Sequence, residues 1–210
     1  MSIPKIIHQV WVRPKNRGPS KPPSQWMNSW KEMHPDWEYR LWTDKNRPLL
    51  QNERTYSLSQ EAFRRADILR YEILHRYGGV YLDADLLCLK PIDDLLNIKA
   101  KMWAVYENDK QNHGRVANGI IGCTKGNLDM KLLMDNVQHL PNTQAWIAVG
   151  PLYFTKMIKK HNFDIRILPS SSFLPYFHAE KPITKEDPRC KDSYALHFWG
   201  STCGRYDQGR

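Results

Sequence analysis

The sequence predicts an α/β fold, one domain over residues 1–210 with a mixed, mostly parallel central sheet flanked by helices. Three observations predict it. Short apolar runs bounded by turn residues alternate with helix-length segments through much of the chain. The clearest helical segment stops at a glycine pair and runs straight into the most apolar strand, "GGVYL". The composition, 210 residues with 41% hydrophobic and 25% charged, suits one soluble domain with a sizeable core. The chain is expected to be that domain alone or a piece of a larger protein.

Each element follows in order. "KIIHQVWV", residues 5–12, opens the chain as a strand. "RPKNRGPSKPP" is a loop, because its prolines, glycine and charges suit neither helix nor ladder. "SQWMNSWKEMHP" predicts a short helix capped by Ser24 and stopped before Pro35. "EYRLW" is a strand, and "RPLLQN" a second short helix. A long helix runs from about Gln60 to Tyr77, capped by Ser59 and closed by Gly78. "VYLDAD" and "LLCLK" are strands, and "PIDDLLN" holds a turn of helix. "MWAVYE" and "NGIIGCT" are strands, followed by helices near 127–138 and 151–161. "DIRIL" and "YALHFW" are the closing strands. No repeat or low-complexity segment interrupts the series. In such sheets ligands bind at the carboxyl ends of strands.

Charge and cysteine content narrow the function classes. There are 31 Lys and Arg against 22 Asp and Glu, a net charge of +9. The positive residues are scattered, which favours solubility and a phosphate-binding pocket over a nucleic-acid stripe. Cys88, Cys123, Cys190 and Cys203 form no C-x-x-C pair, so a zinc site is not expected, and reduced thiols are. No signal-peptide core and no apolar run of about 20 residues is present, so a cytoplasmic protein without a membrane span is expected. Eight Trp and ten Tyr fit either an aromatic core or the binding of flat rings.

Two acids break the apolar strand "GGVYLDADLLCLKP". Asp83 and Asp85 are two residues apart, so an extended chain puts both side chains on one face. Adjacent carboxylates repel unless a divalent cation joins them or one takes up a proton. The pair is either a solvated turn or a site for Mn2+ or Mg2+, hard ions that take oxygen ligands and keep positions open for phosphate.

The preceding helix supplies an independent clue. At 100° per residue, Phe63, Ala66, Leu69, Ile73, Leu74 and Tyr77 fall on one arc of about 140°, a stripe expected to face the core. Asp67 and Arg70 lie within that stripe or at its edge, three residues apart, while Arg64, Arg65, Glu72, His75 and Arg76 point away. A buried acid and base must be paired, since an unpaired buried charge costs several kcal/mol. They are either a structural ion pair or a polar floor for a hydroxyl-rich ligand.

The segment "FRRADILRYEILHRYGGVYLDADLLCLKPID" resembles the DXD region of GT-A-fold glycosyltransferases, specifically the group containing yeast-type initiating mannosyltransferases and glucosylating clostridial toxins. "IPKIIHQVWV" resembles the first strand of that group and "LHFWGST" its closing segment. The likeness is strong over 60–94, moderate at 3–12 and 194–202, and weak between. A member encoded by a large DNA virus fits the size of the chain.

The resemblance implies a single GT-A-like domain and an enzyme that moves a sugar from a nucleotide-diphosphate sugar, UDP first and GDP second, to a carbohydrate or glycoprotein hydroxyl. It implies Asp83, Asp85 and His197 as ligands of Mn2+ or Mg2+, with Asp85 the firmer. It implies Asp67, Arg70 and Asn118 at the donor sugar, and Trp11, Tyr81 and Ser201 at the nucleotide. Trp199, Gly200 and Ser201 would form a lid, and Pro151 would open a helix beside the acceptor groove. An inverting mechanism needs a carboxylate base, for which Glu107 and Asp109 are candidates by position; the resemblance leans towards retention. For Trp11 and His197 a plain core role stays open. A monomer is expected. A metal-dependent phosphoester or nucleotide-sugar hydrolase, or a carbohydrate-binding domain without catalysis, are the alternatives.

Overall fold

The computed structural model describes residues 2–14, 21–109, 114–140 and 142–209. Residues 15–20 of the proline-rich loop lie outside the described residues. The elements run β1 (Ile6–Val10), α1 (Ser24–Met33), β2 (Glu38–Trp42), α2 (Glu53–Leu58), α3 (Ala62–Tyr77), β3 (Gly79–Leu82) and β4 (Leu86–Cys88). They continue with β5 (Met102–Tyr106), β6 (Val116–Cys123), α4 (Leu128–Asp135), α5 (Ala145–Ala148), α6 (Pro151–His161), β7 (Ile165–Leu168), β8 (Ala195–His197) and α7 (Gly200–Cys203). A six-stranded sheet has the order β2-β1-β3-β6-β5-β7, and β4 and β8 form a separate two-stranded sheet. β1 runs parallel to β2 and β3, and β5 to β7, while β6 is antiparallel to both its neighbours. No described helix is long and apolar enough to cross a membrane.

Two apolar layers cover the sheet. One joins Leu69, Ile73 and Leu74 of α3 to Met130 and Leu133 of α4 and Phe154 of α6. The other gathers Trp30, Trp37, Trp103, Phe173 and Leu196. Each fully buried Leu or Ile contributes roughly 1.5–3 kcal/mol relative to exposure, so α3 is held by its side chains more than by its backbone.

The α3–β3 joint needs its two glycines. Gly78 and Gly79 have φ of +65° and +99°. A Cβ at 78 would meet the Lys125 backbone, and one at 79 the Ile6 carbonyl. This lets β3 start directly under the helix. His8 in β1 pins the joint, with Nε2 donating to the Gly78 carbonyl at 2.8 Å and Nδ1 accepting from Trp42 Nε1 at 3.1 Å.

Several expectations are corrected. Ser24 is the first residue of α1, with Pro23 at the cap. The helix expected at "RPLLQN" starts at Glu53 instead, because the Gln51 and Asn52 amides donate to the Glu72 carboxylate at 3.0 and 2.8 Å. Ser59 closes α2, its hydroxyl donating to the Thr55 carbonyl, and α3 begins past Glu61. "VYLDAD" is not one strand: β3 ends at Leu82 and the chain turns through the two acids into the second sheet. α3 is buried on more than the expected stripe. Arg64 and Glu72 are inside, Arg64 donating to the Leu140 and Thr143 carbonyls, whereas Phe63 is 50% exposed. All four cysteines are free.

Candidate active site

Asp83 and Asp85 sit where the chain leaves the large sheet for the small one. The Asp83 amide still donates to the Gly119 carbonyl of β6 at 2.9 Å, and the Asp85 carbonyl accepts from the Phe198 amide beyond β8 at 3.0 Å. The turn is thus tied to both sheets, and its two carboxylates face a cleft of about 1060 Å³. A strand that departs between a parallel and an antiparallel neighbour opens such a crevice at its carboxyl end.

Each acid has its own set of partners. Asp83 Oδ1 accepts from the Tyr81 hydroxyl at 3.0 Å and from Arg70 Nη2 at 3.1 Å. Gly119 lies directly against the other oxygen, so a Cβ there would collide with Asp83 Oδ2. Asp85 Oδ1 meets His197 Nε2 at 3.1 Å, and its Oδ2 accepts from the Gly200 amide at 2.5 Å. Burial raises the Asp83 carboxyl above its ordinary range; Arg70 opposes that shift and Asp85 adds to it. Burial would raise Asp85 too, but the His197 charge and the Gly200 amide outweigh it and hold Asp85 low. His197 is pushed up, because the Asp85 carboxylate outweighs the cost of burial.

One ligand atom from each of Asp83, Asp85 and His197 lies within 4.8 Å of the others. His197 Nδ1 is buried and has no hydrogen-bond partner among the described residues. Two carboxylates and an imidazole are a donor set that suits a divalent metal ion. These residues fit a divalent cation.

The helix pair joins the same network. Arg70 Nη2 is 3.1 Å from both Asp67 Oδ1 and Asp83 Oδ1, and its guanidinium lies 4.4 Å over the Tyr81 ring. Asn118 Nδ2 donates to Asp67 Oδ1 at 2.8 Å and to the Tyr71 hydroxyl at 3.1 Å. Burial pushes the Asp67 carboxyl up to about 7 against the pull of Arg70. Arg70 therefore bridges the helix acid and the strand acid.

The remaining candidates are distributed around the cleft. Trp11, Tyr81 and Ser201 line it, as do Trp199 and Pro151. Tyr81 is almost fully buried and orients Asp83 through its hydroxyl. Glu107 lines the cleft, and burial raises its carboxyl although Arg115 opposes this. Asp109 lies elsewhere: its carboxylate accepts from the Ser170 amide and hydroxyl, both at 2.8 Å, and it does not line the cleft.

Among the lining residues that sequence reasoning missed are Arg115, Trp146, His178 and Tyr206. Tyr206 packs edge-on against Trp11, with centroids 5.1 Å apart, and its ring abuts Gly200. No local pattern marks these positions.

Comparisons with known proteins point one way. Residues 22–103 match the family described as "Glycosyltransferase sugar-binding region containing DXD motif". An uncharacterized glycosyltransferase of Acanthamoeba polyphaga mimivirus is 31% identical over 212 residues, covering 93% of this chain and 81% of that protein. Inositol phosphoceramide mannosyltransferase 3 of Schizosaccharomyces pombe is 31% identical over 169 residues, covering 73% of this chain and 44% of that protein. The chain spans less than two thirds of the first three fungal relatives, 44%, 60% and 32% of their lengths. Among solved structures, a glycosyltransferase involved in glycosylation of the major capsid of PBCV-1 superposes with a TM-score of 0.58 at 13% identity, covering 97% of this chain and 98% of that one. At that identity the match speaks for a GT-A fold.

Proposed function

Because the chain belongs to the glycosyltransferases that contain a DXD motif, we propose that it moves a sugar from a nucleotide-diphosphate sugar to a hydroxyl acceptor. The observation that carries this reading is the convergence of Asp83, Asp85 and His197 in one cleft. Asp83, Asp85 and His197 would hold Mn2+ or Mg2+, with Asp85 the firmer ligand. The bound cation supplies Lewis-acid neutralisation of the charge that builds on the leaving diphosphate.

The protein's own groups have separable roles in this proposal. Tyr81 and Arg70 hold the Asp83 carboxylate in place. Asp67 and Asn118 present a carboxylate oxygen and an amide oxygen as acceptors to sugar hydroxyls at the cleft floor, the Asn118 N–H groups being held by Asp67 and Tyr71. Trp11 offers an indole for the base, with Tyr206 fixing its edge, and Ser201 lies on the same side. A water-excluding floor of this kind makes each of these interactions stronger than in bulk solvent. UDP is the first choice of nucleotide and GDP the second. The fungal relatives are named mannosyltransferases, which puts mannose among the sugars to test.

Titration calorimetry with UDP and GDP, with and without Mn2+, tests the reading. We expect at least one nucleotide to bind only with the cation present. Equal binding in excess chelator would refute the cation's role, and failure of both nucleotides to bind would refute the donor assignment.

A further inference from the structure

Tyr71 follows Arg70 on α3, is fully buried, and does not line the cleft. Its hydroxyl donates to the Val149 carbonyl at 2.8 Å, just past the end of α5. A carbonyl can only accept, and a hydroxyl has one proton to give. Burial raises the Tyr71 pKa well above its ordinary value, so that proton stays in place. Towards Asn118 the Tyr71 oxygen can therefore only accept. Asn118 Nδ2 meets that oxygen at 3.1 Å with one N–H and Asp67 Oδ1 at 2.8 Å with the other. Asp67 Oδ1 is itself an acceptor, since it also faces Arg70 Nη2. Both neighbours thus demand the nitrogen of the Asn118 amide, and its oxygen is what Asn118 has left to offer in the cleft it lines. The turn that supplies the carbonyl packs against the same floor: a Cβ at Gly150 would lie 3.3 Å from Asp67 Oδ2.

Resting on the glycosyltransfer reading, we propose that Tyr71 is a positioning residue for the donor sugar. It touches no ligand. Its hydroxyl passes the polarity of the Val149 carbonyl on to Asn118, so that Asn118 meets the sugar as an acceptor. A sugar hydroxyl can turn to donate to that oxygen, whereas an ether oxygen or a carboxylate cannot. Without the Tyr71 hydroxyl, one Asn118 N–H loses its partner in a buried setting, and Asp67 alone is left to select the orientation of the amide. Tyr153 is a built-in control. Its ring lies 6.2 Å from that of Tyr71, its hydroxyl donates to the Leu133 carbonyl at 2.6 Å, and it does not line the cleft. Both tyrosines donate to a carbonyl; of the pair, Tyr71 is the one that accepts from Asn118.

Titration calorimetry with UDP, UDP-glucose, GDP and GDP-mannose, all with Mn2+, reads the effect. We expect Tyr71→Phe to weaken whichever nucleotide sugar binds by fivefold or more. Its parent diphosphate should stay within twofold of wild type, which also shows that the variant folds. Tyr153→Phe should leave both unchanged. In an Asn118→Ala background Tyr71→Phe should add less than twofold, because the partner it acts through is gone. A full effect in that background, an undiminished nucleotide-sugar affinity or an equal loss of the diphosphate would overturn the proposal. Proton–nitrogen correlation spectra give a readout that needs no ligand. The Asn118 side-chain amide signals, assigned by their absence in Asn118→Ala, should shift in Tyr71→Phe and stay in place in Tyr153→Phe. Failure of both diphosphates to bind would refute the donor reading on its own account. Unshifted Asn118 signals in Tyr71→Phe would overturn the role of Tyr71 whether or not a nucleotide binds.

Discussion

His8 and His197 both sit in short apolar strands, both are buried, and they behave in opposite ways. His8 lies in β1 between a carbonyl and an indole, and its partners fix a neutral imidazole. Burial takes it down to about 4, against the Gly78 carbonyl bond. His197 in β8 faces the Asp85 carboxylate at 3.1 Å and is pushed up. Burial is common to the two; the charge opposite decides. The same residue in the same kind of strand fastens a joint in the large sheet and belongs to a polar site in the small one.

The largest test removes the charge opposite His197. Asp85→Asn keeps the shape of the side chain and is expected to lower transfer by 10²–10³-fold, about 3–4 kcal/mol. Circular dichroism should show an unchanged fold. Wild-type turnover in a folded variant would break the contrast.

The next test concerns His8 and reads stability instead. Its folded pKa of about 4 lies below the ordinary 6.5. Its contribution is therefore complete above pH 6.5 and is lost as pH falls towards 4, because the unfolded chain takes up the proton first. The whole effect is about 3 kcal/mol. Urea unfolding between pH 7 and 4.5 measures that slope. His8→Gln should flatten it by the same amount, and a variant with the wild-type slope would show that His8 is not its source.

The smallest effect sharpens the comparison at the acids. Gly119→Ala places a methyl group against Asp83 Oδ2. We expect Mn2+ affinity to fall 10–100-fold, as when support for a metal ligand is lost, with the sheet intact. Unaltered Mn2+ affinity would mean that Asp83 can move without consequence.

Much of this was legible in the sequence where the signal is local. The D-x-D spacing, the Asp67–Arg70 pair and the Gly78 helix stop each depend on a few neighbouring residues. The sequence pattern overran at "VYLDAD" because alternation cannot reveal that a strand changes sheets. The helical wheel placed Phe63 inside and Glu72 outside because it counts one core face. α3 is enclosed by further elements, and Glu72 is drawn in by the Gln51 and Asn52 amides. Arg115, Trp146 and Tyr206 were invisible for a similar reason: each reaches the cleft from a segment whose placement is set by distant packing.

The pairing of β4 with β8 has a consequence for biosynthesis. Asp85 and its partner His197 are 112 positions apart in the chain, whereas five strands of the large sheet are complete by Cys123. A ribosome therefore releases the material for most of the sheet long before it releases β8. A chain interrupted before Ala195 has the acids but neither the imidazole nor the Gly200 amide that faces them. Assembly of the Asp83, Asp85 and His197 cluster thus waits for β8, well after the chain for most of the large sheet is available.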